Sequence, residues 1–142
     1  MCKSEDYKVF FDDAPVALVR TNADTGEFEM ANNFAAKLFG CESVEELIEK
    51  HKSTDFYPKD IRQKLINKLK HQGVIEAEEI ELQLPDDRKV WVKANFRLNC
   101  GGTCIECFLT DITEIIRLKN KHFMSMKAVS EKLDTKIATL CG

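Results

Sequence analysis

Cysteine thiols are the residues of this chain whose spacing most directly suggests chemistry. Cys100, Cys104 and Cys107 form a C-x3-C-x2-C string, which could hold a metal ion or undergo redox reactions. A zinc site needs four convergent ligands, and no second cysteine pair or neighbouring histidine completes the set. In the hairpin predicted below, Cys100 and Cys107 share the inward face, whereas Cys104 points outward. We therefore expect reduced cysteines that act as small apolar residues, with no metal and no disulfide, and with only the Cys107 thiol placed to be oxidised or to contact a ligand.

Histidines and carboxylates give a weaker chemical signal. His51, His71 and His122 lie in polar stretches, at a helix end or on the outgoing helix, and we expect them to face solvent. The C-x-x-C-H motif that attaches c-type haem is absent. The residues expected to face the interior contain no nucleophile–base or acid–base set, so the sequence predicts no enzymatic activity.

Composition places the chain among ordinary soluble proteins. Its 142 residues, 44% hydrophobic and 32% charged, suit one domain plus a short appendage. The net charge of −3 gives no reason to expect nucleic-acid binding, and the basic balance from Glu114 onward is typical of a solvated helix face. No apolar run resembles a signal peptide or reaches transmembrane length. These observations favour a cytoplasmic protein that does not insert into membranes.

The first half of the chain carries alternating helix and strand signals. Asn32 and Ser43 each stand at the start of a predicted helix, where a short polar side chain can cap free backbone N–H groups. Pro58 begins a longer helix, on which Arg62 and the lysines are expected to face water, and Gly73 ends it. Helices are thus predicted at residues 5–13, 32–39, 43–50 and 58–72, and paired strands at 16–21 and 27–30.

Three strands are predicted in the second half. Ile80, Leu82 and Leu84 alternate with polar residues, and a turn at Asp86-Asp87 follows. Two further strands are joined by Gly101-Gly102, which suits a two-residue primed turn. This turn sets the register by pairing Ala94 with Leu109, Phe96 with Cys107 and Leu98 with Ile105 on the apolar face. It also pairs Arg97 with Glu106 on the opposite face, so two independent patterns agree.

The predicted fold is α+β, a five-stranded antiparallel sheet with helices on one face. Its inward side chains define a candidate ligand pocket that is almost entirely apolar, with no buried charge to hold a carboxylate. Either a filled core without ligand or a pocket for a small apolar or aromatic molecule fits this pattern. The candidate pocket residues are Phe34, Leu38, Phe56, Leu65, Leu69, Val92, Ala94, Phe96, Ile105, Cys107 and Leu109.

Large apolar residues are also predicted on the outer face of the sheet. Trp91 and Phe108 alternate with core residues and therefore point away from the interior. An exposed apolar surface of this kind is usually covered. Phe10 and Phe11 of the N-terminal helix can cover part of it, and a second copy of the chain can cover the rest.

The C-terminal segment has the spacing of a coiled-coil helix. Asp111, Thr113 and Glu114 form the junction, with Asp111 and Glu114 spaced as a capping box at the point where strand periodicity changes to helical periodicity. Downstream residues follow alternating steps of four and three and predict a parallel dimer, although a helix folded back on its own domain would show a similar stripe. The seam residues are Ile112, Ile116, Lys119, Phe123, Met126, Ser130, Leu133, Ile137 and Leu140.

The region from about Val9 to Glu114 resembles a PAS domain. The resemblance lies in an ordered set of short motifs, and one departure is Asp86-Asp87, where many such domains have Asp-Gly. The motifs are Ala14-Pro15-Val16-Ala17-Leu18, Thr25-Gly26-Glu27, Ala31-Asn32, Leu38-Phe39-Gly40, Ser43-Val44-Glu45-Glu46-Leu47, Asp55-Phe56-Tyr57-Pro58 and Asp111-Ile112-Thr113-Glu114.

This resemblance implies a sheet cupped around a helix-lined pocket that senses small ligands, redox state or light, often in a dimer. Haem-binding members usually place an axial histidine inside the long helix, where this chain has Ile61, Arg62 and Leu65. The Asn-Cys-Arg-Phe signature of flavin-based light sensors has no counterpart between Cys41 and Gln72. Haem and flavin are therefore disfavoured, and the cofactor stays unknown.

Together these features predict a non-enzymatic sensory module. We expect residues 1–14 to form a capping helix, 15–113 the sensor, and 114–142 a signalling helix that leads to an effector domain. The chain would dimerise and relay a small-ligand or redox cue. A purely structural dimerisation module with a filled core is the alternative.

Overall fold

The computed structural model describes the backbone of residues 3–141 and the side chains of residues 7–133. A single sheet and the helices packed against it account for most of this range. The helices are α1 (Lys3–Asp12), α2 (Asn33–Leu38), α3 (Val44–Lys50), α4 (Lys59–Gln72) and α5 (Thr113–Cys141), with a short 3-10 helix at Ser53–Asp55. The strands are β1 (Ala17–Asn22), β2 (Phe28–Ala31), β3 (Val74–Gln83), β4 (Lys89–Asn99) and β5 (Cys104–Asp111).

The five strands form an antiparallel sheet in the order β2-β1-β5-β4-β3. The core lies on the face of the sheet covered by α2, α3 and α4, as the predicted fold class requires. Alternate strand residues enter this core because successive side chains of a strand point to opposite faces. Inward residues of the central strands include Val19, Thr21, Val92, Ala94, Phe96, Ile105, Cys107 and Leu109.

The predicted register of the β4–β5 hairpin is confirmed. Ala94 pairs with Leu109, Phe96 with Cys107, Leu98 with Ile105 and Arg97 with Glu106. The loop, however, is longer than the predicted two residues, because the strands end at Asn99 and resume at Cys104. Cys100 adopts a positive φ of 55° and begins a short 3-10 turn through Gly102.

Asn32 joins α2 to the sheet through a fully buried amide. Its Oδ1 accepts hydrogen bonds from Ala35 N at 2.9 Å and from Leu18 N at 3.1 Å. Its Nδ2 donates to Val16 O at 2.8 Å. The side chain therefore caps α2, as predicted, and also satisfies backbone groups at the start of β1.

Strand β3 is longer than the sequence pattern indicated. It begins immediately after Gly73, which ends α4 in the left-handed conformation with φ of 76°. A bulge between Ile75 and Glu78 places Ala77 at φ of 55° and interrupts the alternation of apolar and polar residues. This bulge explains why the strand was recognised only from Ile80 onward.

The described chain divides into two compact units, one ending at Asp111 and one beginning at Ile112. The second unit is one continuous helix, α5. None of the helices in the described residues is both long enough and apolar enough to cross a lipid bilayer.

The Asn32 network generates a stability prediction. Replacing Asn32 by Ala leaves the Leu18 and Ala35 N–H groups and the Val16 carbonyl without their partner, which costs about 2–4 kcal/mol in unfolding free energy. Urea unfolding followed by circular dichroism measures this loss. Asn33→Ala is the matched control because Asn33 is exposed, and its unfolding free energy should change by less than about 0.5 kcal/mol. Equal stability of both variants would contradict the role of Asn32.

Candidate sensory site

A small cavity of about 30 Å³ lies between the sheet and α4. Since a water molecule needs roughly 10–15 Å³ of such volume, the cavity has room for two waters or for a ligand of a few heavy atoms. Most of its wall is apolar, but four side chains carry hydroxyl or guanidinium groups. Its lining residues are Val19, Thr21, Phe28, Phe39, Ser53, Tyr57, Arg62, Leu65, Ile66, Leu69, Phe96, Ile105 and Cys107.

Arg62 is the cationic residue of the cavity wall. It lies on α4 three, four and seven positions before Leu65, Ile66 and Leu69, so it shares their inward-facing side of the helix. Among the residues whose side chains are described, none forms a hydrogen bond or ion pair with its guanidinium. A half-buried cation without a carboxylate partner is costly, so the site favours an anion or water beside it.

The turn between β1 and β2 gives the Arg62 side chain its space. Gly26 adopts φ of 77°, and a Cβ built on it would lie 2.9 Å from Ser53 Oγ and 3.4 Å from Arg62 Nη2. Ser53 N also donates to Gly26 O at 2.8 Å. The absence of a side chain at Gly26 therefore lets this turn, the 3-10 helix and the guanidinium meet at one end of the cavity.

The neutral polar groups of the cavity stay protonated near neutral pH. Burial raises the pKa of the Tyr57 hydroxyl well above its ordinary value, with a smaller contribution from Cys107. Burial also raises the pKa of the Cys107 thiol to about 12, with a smaller contribution from Glu106 that the positive charge of Arg62 partly offsets. The guanidinium group of arginine carries a positive charge in proteins. The cavity thus combines one fixed positive charge with hydroxyl donors and an unreactive thiol.

The outer face of the sheet carries a charge cluster that links three strands. Glu106 on β5 accepts hydrogen bonds from Arg97 Nη2 at 2.7 Å and from Asn99 Nδ2 at 2.9 Å, and it lies 3.3 Å from Arg20 Nη2. The hydrogen bond from Arg97, together with those from Asn99 and Arg20, holds the pKa of the Glu106 carboxyl below its ordinary value. Cross-strand pairs of this kind stabilise neighbouring strands.

An apolar groove lies on the same outer face. Phe11 of α1, Leu18 and Met30 line it together with Phe108, which is 46% exposed. Phe11 is half-buried, whereas Phe10 is 78% exposed and does not line this groove. The outer face is therefore only partly covered by α1.

This arrangement of sheet, helices and cavity can be compared with known proteins. A model of the PAS domain family matches residues 15–114. The chain belongs to the PAS domain family. The family expected from the sequence motifs is thereby confirmed, and so is the predicted fold class. Among curated proteins there is no significant match.

Solved PAS domains share this fold at low sequence identity. A PAS domain from Colwellia psychrerythraea is 20% identical, covers 78% of this chain and 98% of its own, and has a TM-score of 0.68. A sensory box histidine kinase/response regulator from Burkholderia thailandensis is 16% identical, with 88% and 98% covered and a TM-score of 0.63. A domain of a sensor histidine kinase/response regulator from Geobacter sulfurreducens is 14% identical, with 77% and 94% covered and a TM-score of 0.63. These likenesses establish the fold.

The predicted pocket residues of this PAS domain fall into three groups. Leu65, Leu69, Phe96, Ile105 and Cys107 line the cavity. Buried core positions outside that lining are occupied by Leu38, Phe56, Val92, Ala94 and Leu109. Phe34 does not face the interior and is 38% exposed. Asn32 is buried, so the residues three and four positions later, Ala35 and Ala36, also face the core. Phe34 therefore lies on the opposite side of α2.

The prediction of a pocket with no buried charge to hold a carboxylate is contradicted by the half-buried Arg62 in the cavity wall. Arg62 was assigned to solvent because it is charged, although its spacing from Leu65 and Leu69 already placed it on the inward side. Thr21, Ser53 and Tyr57 were missed as well. The period-two alternation of β1 could have identified Thr21, whereas the positions of Ser53 and Tyr57 depend on irregular backbone that no pattern predicts.

The prediction of reduced cysteines throughout was also wrong. Cys100 and Cys104 form a disulfide with their Cα atoms 5.6 Å apart, a separation usual for such bonds. The predicted orientations are also reversed, because Cys104 is buried and Cys100 lies in the exposed loop. The four-residue loop brings the two together, which the assumed two-residue turn does not allow. Cys41 and Cys107 are free within the described part of the chain.

The strand-to-helix junction lies at Ile112, between the end of β5 and the start of α5. Asp111 is the last residue of β5, and α5 begins at Thr113. Glu114, in the first turn, accepts a hydrogen bond from Arg117 Nε at 3.1 Å. One residue therefore separates the sheet from a 29-residue helix along the chain.

The Glu106 cluster predicts a pH-dependent stability. Because the pKa of Glu106 is lowered in the folded state, its charged form stabilises folding fully above the ordinary glutamate value of 4.5, and this stabilisation disappears as the pH falls through the lowered value. Glu106→Gln should cost about 1 kcal/mol at pH 7 and progressively less in more acidic solution. Urea unfolding across this pH range measures the difference. Glu29→Gln, at an exposed position of β2, is the control, and a pH-independent deficit for Glu106→Gln would contradict the assignment.

Proposed function

We propose that this PAS domain senses a small carboxylate in the cavity and relays the cue through α5 to an effector. The observation that carries the proposal is the presence of Arg62 in the wall of a mostly apolar cavity. The sequence left open a filled core or a pocket for a small apolar molecule, and this proposal differs from both because the ligand has one anionic end. The protein itself would be non-enzymatic and act in the cytoplasm without contacting nucleic acid or membrane.

The chemistry of the cavity favours a short carboxylate. Arginine presents planar donors that match a carboxylate, and such charge-assisted hydrogen bonds are stronger than neutral ones. Leu65, Leu69 and Phe96 offer an apolar surface for a short hydrocarbon tail. The volume of about 30 Å³ restricts an unadapted cavity to formate-sized or acetate-sized molecules, so longer tails require side-chain movement.

Chain continuity supports a relay. Cys107 and Ile105 of the cavity wall lie on β5, the strand that leads to α5 after a single intervening residue. A ligand shifts such an equilibrium only if it binds the two states with different affinity. Movement of β5 on binding would therefore reach Asp111, Thr113 and Glu114, the proposed signal junction. In this scheme residues 15–113 are the sensor, 1–14 the cap and 114–142 the signalling helix.

Exposed apolar residues support dimerisation. Along α5, Phe123 and Met126 of the predicted seam are exposed, while the side chains of Ile137 and Leu140 lie outside the described residues. On the sheet, the partly covered Phe108 and the half-buried Trp91 offer a second surface. We propose that a second copy of the chain covers both, with Phe10, Phe11 and Ile116 also in the dimer surface.

A redox cue is the second candidate, and the Cys100–Cys104 disulfide favours it specifically. Its reduction takes two electrons and two protons from a dithiol and yields two thiols. Cys104 is the first residue of β5, so opening the bond would release the loop at the start of the strand that leads to α5.

Ligand titration tests the proposed cue. Acetate and formate should raise the melting temperature of the wild-type protein, since a ligand that binds only the folded state stabilises it. The neutral isostere acetamide should have no effect. Arg62→Ala should weaken acetate binding by about tenfold or more, measured by isothermal titration calorimetry.

Lys64→Ala is the matched control for this experiment, because Lys64 is an exposed cation on the same helix. It should leave acetate binding unchanged. If neither formate, acetate nor propionate stabilises the wild type, the carboxylate cue is wrong, and a filled core in a purely structural dimerisation module becomes the better description.

Two adjacent exposed residues provide a test of the helical dimer. Phe123 and Met124 are 66% and 62% exposed, but only Phe123 lies on the predicted seam. Phe123→Ser should weaken dimerisation by roughly tenfold or more, whereas Met124→Ser should change it little. Sedimentation equilibrium measures both dissociation constants. Equal effects of the two substitutions, or a monomeric wild type at high concentration, would rule out this seam.

A further inference from the structure

Three potential metal ligands converge around α3. The thiol of Cys41, the carboxylate of Glu46 and a ring nitrogen of His51 all lie within 4.8 Å of one another. Cys41 lies in the loop between α2 and α3, Glu46 in the first turn of α3, and His51 directly after its last residue. Sulfur, oxygen and nitrogen donors from 11 residues of sequence thus meet at one corner of the fold.

The donor set is that of a transition-metal site. Zinc binds thiolate sulfur at about 2.3 Å and imidazole nitrogen or carboxylate oxygen at about 2.0–2.2 Å, so tetrahedral donors lie roughly 3–4 Å apart. The present separations of up to 4.8 Å exceed that spacing, so metal binding would require the three side chains to move closer together. A thiolate and an imidazole together select zinc over magnesium or calcium, which prefer oxygen ligands.

Neighbouring groups hold these ligands in place. Glu46 Oε2 accepts a hydrogen bond from Glu42 N at 2.9 Å, which fixes the carboxylate and leaves its second oxygen for another contact. The His51 ring packs against Phe56 with the ring centroids 5.5 Å apart. Its Nδ1 lies 3.8 Å from Asp55 Oδ2, which in turn accepts from Lys52 N at 2.8 Å. A metal-bound histidine usually donates its second ring N–H to a carboxylate, and Asp55 would take this role if the distance shortened to that of a hydrogen bond.

We propose that Cys41, Glu46 and His51 bind one divalent transition-metal ion, with Zn²⁺ as the best chemical match. His51 would coordinate through Nε2, with Asp55 orienting the ring through Nδ1. Three protein ligands leave a fourth position for solvent, the arrangement of an open zinc site. None of the three residues lines the Arg62 cavity, so the metal site stands whether or not the cavity binds a carboxylate.

Metal titration of the full chain tests the proposal. The protein is stripped with a chelator, kept reduced with a phosphine, and titrated with ZnCl2 by calorimetry and with CoCl2 by absorbance. One equivalent of Zn²⁺ should bind and raise the melting temperature. Co²⁺ should give a thiolate charge-transfer band that Cys41→Ser abolishes.

Matched variants locate the ion. His51→Gln and Glu46→Gln should weaken Zn²⁺ binding by about tenfold or more, and Glu46→Gln retains a carbonyl oxygen for the Glu42 N–H group. His71→Gln and Cys100→Ser, at exposed positions elsewhere, should bind Zn²⁺ as tightly as the wild type. Circular dichroism verifies that each variant is folded.

Three results would overturn the site. The first is a wild-type protein that binds no Zn²⁺ at micromolar concentration. The second is unchanged binding in His51→Gln and Cys41→Ser. The third is a loss of binding on Cys100→Ser, which would place the ion at the hairpin cysteines.

Discussion

The pairing register of β5 with β1 and β4 determines which chemistry reaches each face of the sheet. Val19 pairs with Cys107 and Phe96 pairs with Cys107 from the other side, so three strands contribute to the same inner surface. In the next row, Arg20 and Arg97 both face Glu106 on the outer surface. A slip of one residue would bring Glu106 inside and turn Cys107 out, which neither the apolar core nor the two arginines would tolerate. The apolar and the charged rows therefore enforce the same alignment.

The cavity depends on this alignment and on α4. The sheet supplies the apolar floor, and α4 supplies both the apolar roof and Arg62. A guanidinium in this position carries a desolvation cost that a fully apolar core would avoid. This desolvation cost is the physical reason why the proposed function places an anionic ligand beside Arg62. The Gly26 turn, which leaves room for the guanidinium, belongs to the same arrangement.

The sequence predicted those parts of the fold in which a simple period is unbroken. Alternation from Val92 to Leu98 and from Ile105 to Leu109 defined the hairpin, and the spacing of Leu65, Ile66 and Leu69 defined the inner side of α4. Prediction failed where one local sequence pattern was used and other patterns in the same segment were ignored. Arg62 was placed in water because of its charge, against the helical spacing that it shares with the apolar residues. The Cys100–Cys104 bond was missed because Gly101-Gly102 indicated a tight turn, whereas the chain forms a wider loop with a positive φ at Cys100. The meeting of Cys41, Glu46 and His51 depends on how α2 and α3 pack, which no period in the sequence records.

The bulged strand β3 has a consequence for how copies of the chain can meet. It lies at one edge of the sheet and carries four glutamates in ten residues, with its backbone distorted at Ala77. An open edge is a template on which another strand can add, and charge and distortion are the usual means of blocking such growth. Two copies aligned along β3 would bring these carboxylates together and could not maintain a regular ladder past the bulge. Pairing of β3 edges between two molecules is thus disfavoured. Copies of the chain would instead associate through side-chain contacts on other surfaces.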